Sequence, residues 1–86
     1  MKYKLEIVDN QIHRFYEYVL YSWKKKNWWS KEKWNIECAH TLGHRYMCPE
    51  IHQGKITTKE YFERETQLIL KNKDVSEIHR TIITKN

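Results

Sequence analysis

The feature that most constrains this chain is the apolar spacing within "QIHRFYEYVLYSWKKK", residues 11–26. Ile12, Phe15, Tyr16, Val19, Leu20 and Trp23 recur three and four positions apart. At about 100° per residue they fall within an arc of roughly 140°, the apolar face of an amphipathic helix. Asp9 and Asn10, just ahead of it, carry N-cap chemistry. The spacing predicts a helix near 11–26.

The flanking segments read differently. Residues 2–8, "KYKLEIV", alternate charged and apolar side chains, the period of a half-buried strand. Ser30 is placed to start a second helix through about Met47, and Pro49 disfavours helical geometry at Cys48. Gly43 weakens that helix by about 1 kcal/mol relative to Ala. Gly54, Thr57 and Glu60 form the signature of a capping box. They open a third helix to about Lys71, with Tyr61, Phe62, Leu68 and Ile69 inward. Residues 75–84 admit two readings. Asp74 and Glu77 suit a short helix, whereas Thr81, Ile82, Ile83 and Thr84 favour a strand. The strand reading pairs this tail with residues 2–8.

The expected fold is therefore α+β. One domain over residues 1–86 packs three amphipathic helices with a short N-terminal strand, paired with a C-terminal one. Twelve aromatic residues supply a core, and only two Gly and one Pro argue against an all-β chain. The first residues carry charges and no apolar run, so no signal peptide is read, and no segment approaches the roughly 20 apolar residues of a membrane span. A cytoplasmic protein with Cys38 and Cys48 as free thiols or ligands is the expectation. Abundant Lys, Ile and Asn read as AT-rich coding sequence, as in many phages and low-GC bacteria.

Two stretches carry candidate chemistry. In "ECAHTLGHRYMCPEIH", residues 37–52, Glu37, His40, His44 and Cys48 would share a strip about 80° wide on the second helix. Imidazoles one turn apart can hold one ion, with Cys48 as a thiolate and Glu37 or His52 as a fourth ligand. Zinc suits that donor set. A plain solvated helix face explains the same residues, and the spacing matches no established zinc signature. "AHTLGH", residues 39–44, resembles the H-E-x-x-H helix of zinc metalloproteases. That resemblance implies that His40 and His44 bind zinc, but Thr41 stands where the family has its general base. No protease activity is read from it.

The second stretch is "WKKKNWWSKEKW", residues 23–34, which holds all four tryptophans and five lysines. Trp23 and Trp34 are expected in the core. Trp28 and Trp29 lie in the connection, rimmed by Lys24, Lys25, Lys26, Lys31 and Lys33. The outward side of the first helix would add Arg14, Tyr18 and Tyr21 to this surface. Aromatic rings interleaved with cations suit an acidic protein surface or an unpaired nucleic acid.

No phosphate loop, catalytic carboxylate pair or nucleophile elbow is present, so no enzyme is expected. The leading expectation, at a net charge of +5, is a small basic protein that docks on a larger one. A phage-encoded modulator or inhibitor of a host nucleic-acid enzyme is its concrete form. Direct nucleic-acid binding and zinc binding are the alternatives, and no membrane role is expected.

Overall fold

The computed structural model describes residues 2–25 and 27–84. It contains four strands, β1 (Lys2–Asn10), β2 (Phe15–Lys24), β3 (Lys33–Gly43) and β4 (Val75–Ile83), and two helices, α1 (Pro49–His52) and α2 (Thr58–Asn72). They form one sheet in the order β3-β2-β1-β4, antiparallel at β1–β2 and β2–β3 and parallel at β1–β4. The three-helix expectation is wrong, and the structure is mostly β. The segments read as the first and second helices are β2 and β3.

The physical reason is visible in β2. Its sequence, FYEYVLYSWK, carries five aromatic residues and the β-branched Val19, which fit a pleated surface better than a helix. Both faces of this central strand carry apolar side chains. Apolar residues on both faces leave no clean period of two, and some of them then match helical spacing by chance. Asn10 caps the β1–β2 turn instead of a helix. Its Oδ1 accepts from the N–H groups of Ile12 (3.1 Å) and His13 (2.9 Å), and Arg14 closes the turn with φ 59°. The same short polar side chain serves helix caps and tight turns. Pro49 opens a helix, α1, at its first position, where a missing N–H costs nothing.

Three expectations agree with the structure. Residues 2–8 lie within β1, and the tail pairs with them as β4. α2 begins at the expected capping box: the Thr57 side chain accepts from Glu60 N–H (3.1 Å), and the Glu60 carboxylate accepts from Thr57 N–H (3.2 Å). Gly54, with φ 74°, makes the preceding turn.

α2 covers one face of the sheet. Leu5 and Ile7 of β1, Leu20 of β2, Leu42 of β3 and Phe62 of α2 form the buried core. Tyr16 stacks on Phe62 at a centroid distance of 5.2 Å, and Tyr18 meets the same ring tilted, at 6.0 Å. Tyr61 and Ile69 are partly buried against the core as expected. Leu68, expected inward, is 53% exposed.

Candidate binding surface

A second face of the sheet lies opposite α2. Side chains alternate along a strand, so Lys4, Glu6 and Val8 of β1 point away from the helix. Their register partners on β2, Tyr21, Val19 and Glu17, share that face, as do Phe15 and Trp23. Strand β3 reaches the same surface through an irregularity. Leu20 pairs with Cys38, but Tyr21 pairs with Ile36, which leaves Glu37 as a bulge. The extra residue reverses the alternation. Beyond it Cys38, His40 and Leu42 lie on the helix side. Before it Trp34 and Ile36 lie on the open side.

Local contacts order the open face. Trp34 meets Trp23 edge-on at 5.2 Å. The Lys4 ammonium sits over the Tyr21 ring (4.7 Å) and over Trp34 (4.8 Å), a favourable approach of a cation to π-clouds. The Tyr21 hydroxyl donates to Glu6 (3.1 Å), which also lies 3.9 Å from Lys4. Partial burial, then the bond to Glu6, raises the Tyr21 pKa above its ordinary value. Trp23 Nε1–H donates to Glu32 (2.8 Å), and the Thr41 hydroxyl donates to Glu17 (3.2 Å). Ile36 stands 66% exposed on this face.

The β2–β3 connection extends the surface. Trp28 and Trp29 are 84% and 70% exposed and meet edge-on at 5.6 Å. Lys25, Lys31 and Lys33 are exposed around them. Lys24 pairs with Glu37 at 2.7 Å. The Glu37 carboxylate also accepts from the buried Ser22 hydroxyl. Hydrogen bonds from Lys24 and Ser22 hold its pKa below the ordinary carboxylate value.

The expected site is thus divided. Tyr21, Lys24, Lys25, Trp28, Trp29, Lys31 and Lys33 gather at the open face and the adjoining hairpin end, and Lys26 lies outside the described residues. Tyr18 does not join them: it faces α2, against Phe62 and His40. Arg14 occupies the turn at the far end of β2. Trp23 and Trp34, expected in the core, belong to the open face. Lys4, Phe15 and Ile36 were missed. Lys4 sat in the segment already read as a simple alternating strand, whose solvated side offered no signal of its own. Phe15 and Ile36 were assigned to the apolar faces of helices.

The proposed metal strip is dispersed. His40 lies in β3 and His44 one residue past its end, so the two imidazoles do not stand one helical turn apart as the helix reading required. His44 Nε2 lies 2.9 Å from Asp9, and His40 Nε2 lies 3.5 Å from Glu65. Glu37 is engaged with Lys24, and Cys48 stands at the start of α1. Among the described residues no group of three potential ligands converges. The metalloprotease resemblance loses its helix for the same reason. Among the described residues, too, no helix is long and apolar enough to cross a membrane. Comparison with protein-family models, curated proteins and solved structures returns no match.

Proposed function

We propose that this is a small binding protein that docks on a larger protein through the sheet face opposite α2. A phage-encoded modulator or inhibitor of a host nucleic-acid enzyme remains the concrete form of the reading. One observation carries it: a sheet face with Tyr21, Trp23, Trp34 and Ile36 that no element among the described residues covers. Aromatic side chains on a formed, rigid sheet resemble the anchors that dominate protein interfaces. Electrostatics favours a protein over a polynucleotide here. Lys4 has Glu6 beside it, and Glu17 and Glu32 lie along the same surface. Phosphate binding calls for cations in excess, and this face has no such surplus.

The hairpin end supports a second reading. Trp28 and Trp29 with Lys25, Lys31 and Lys33 combine rings for base stacking with charge for phosphate. The two readings separate experimentally. The tagged protein is used to capture partners from nuclease-treated extract of its native cell, beside Ile36→Glu and the double variant Trp28→Ala/Trp29→Ala. It is also titrated with a fluorescent single-stranded oligonucleotide at rising salt. The docking reading expects a captured protein that survives nuclease and is lost with Ile36→Glu. Equal capture by Ile36→Glu refutes it. Tight, steeply salt-dependent oligonucleotide binding that the tryptophan variant loses would transfer the function to the hairpin.

A further inference from the structure

The open face differs in charge from the rest of the molecule. The chain carries a net charge of +5, yet Arg64, Lys73 and Arg80 lie on the α2 side, over Tyr61, over Tyr3 and level with the buried Ile7. Register and alternation place Lys2 and Lys4 on the open face, and Glu6, Glu17 and Glu77 with them. Glu32 joins them through the Trp23 indole N–H (2.8 Å). Glu77 lies 3.1 Å from His79. The other three carboxylates accept from neutral donors: Glu6 from the Tyr21 hydroxyl, Glu17 from the Thr41 hydroxyl and Glu32 from Trp23. Among the described residues, the one ion pair these three make is Glu6 with Lys4, at 3.9 Å. Beside them stand rings that already hold a cation. The Lys4 ammonium lies 4.7 Å from the Tyr21 ring and 4.8 Å from the Trp34 ring, and its side chain is 17% exposed. The π-clouds replace part of the hydration that this burial removes.

We propose that the surface this face receives is basic: a protein patch whose lysine or arginine side chains lie over Trp23 and Trp34 and pair with Glu6, Glu17 and Glu32. This rests on the docking role proposed above and names the chemistry of the partner. Charge complementarity carries it. Glu17, Val19, Tyr21 and Trp23 follow one another at alternate positions of β2, so carboxylate, aliphatic and aromatic groups stand in one row at intervals of about 7 Å. A lysine or arginine has the matching order, an apolar stem that lies on rings and a charged head that meets a carboxylate. An acidic partner would set its carboxylates against Glu6, Glu17 and Glu32, and like charges brought into contact disfavour a complex. A basic patch is also the electrostatic footprint of a protein that holds nucleic acid, which agrees with the class of target proposed above.

Titration of the full chain with a fluorescein-labelled hexa-arginine peptide at physiological salt tests this, with circular dichroism as the control for folding. The wild type is expected to bind the peptide saturably. Glu17→Gln/Glu32→Gln keeps the acceptor oxygens that Thr41 and Trp23 use and removes only the charge. It should weaken binding about tenfold or more, since hydrogen bonds to charged groups are stronger than neutral ones. Glu60→Gln/Glu63→Gln, at exposed positions of α2, is the charge-matched control and should change the affinity little. A wild type that does not bind the peptide overturns the proposal, and so do equal losses in the two variants. Capture from nuclease-treated extract separates this inference from the docking reading. Loss of capture with both Ile36→Glu and Glu17→Lys/Glu32→Lys supports a basic partner. Capture lost with Ile36→Glu but kept or strengthened by the lysine variant leaves the docking reading standing and overturns this one. Capture that survives Ile36→Glu refutes the docking reading, and this inference with it.

Discussion

Replacing Phe62 by Ala gives the most direct test of how α2 sits on the sheet. Phe62 is 3% exposed, and its ring lies 5.2 Å from that of Tyr16 and 6.0 Å from that of Tyr18. Truncating a buried phenylalanine costs about 3–5 kcal/mol through lost transfer energy and the cavity left behind. A chain of 86 residues has a total stability of roughly 4–13 kcal/mol, so the variant should lose a large share of it. Leu68→Ala is the matched control. Sequence spacing placed both residues inward, but Leu68 is 53% exposed, and its loss should cost less than about 1 kcal/mol. Urea denaturation followed by far-ultraviolet circular dichroism measures both. Tryptophan fluorescence is a poor probe here because Trp23, Trp28 and Trp29 are exposed. Equal costs for the two variants would mean that α2 is rotated on the sheet. Tyr16 and Tyr18 would then lack their cover, and the division into a packed face and an open face would fall.

Zinc should leave the melting temperature unchanged, because His40 and His44 lie beside different carboxylates, Glu65 and Asp9; a saturable rise near one equivalent, lost in His40→Ala, would refute this. Acid should destabilise the protein partly through Glu37. Its folded-state pKa is lowered from 4.5 by hydrogen bonds from Lys24 and Ser22, so its contribution is present above pH 4.5 and is lost as pH falls through the lower folded value. Melting curves of wild type and Glu37→Gln over pH 2–6 should show a shallower acid loss in the variant, and parallel curves would show that Glu37 is not coupled to folding.

What could be read from the sequence depended on whether an element had one apolar face or two. β1 has a clear alternation because Lys4 and Glu6 face outward while Leu5 and Ile7 are buried. α2 was legible from its capping residues, which act locally and need no knowledge of the fold. β4 was legible from Thr81, Ile82 and Ile83, although its parallel direction was not, since strand polarity follows from the path of the chain. β2 misled because the core takes Tyr16, Tyr18 and Leu20 while the open face takes Val19, Tyr21 and Trp23. Pattern arguments assume that one side of an element meets water, and here the second side is an aromatic surface. The stronger signal was composition, since five aromatic residues fall in that ten-residue segment. The site was legible as a concentration of Trp, Tyr and Lys near residues 21–34, because that clustering survives a change from helix to strand. The histidine strip did not survive, because it rested on helical spacing alone.

The bulge at Glu37 has a consequence for how this surface can change. A regular strand gives its residues to two faces in strict turn, so any redesign of one face runs through residues interleaved with the other. In β3 the two roles are separated along the chain instead. Residues before Glu37 present Trp34 and Ile36 outward, and residues after it send Leu42 to the core. Both groups sit at even positions, so no substitution could exchange their faces, whereas deletion of one residue would. Mutations at 34 and 36 can therefore change the open face while the hydrophobic contacts of Leu42 stay untouched. The open face and the core contact are inherited as consecutive pieces of one strand, each free to vary without the other.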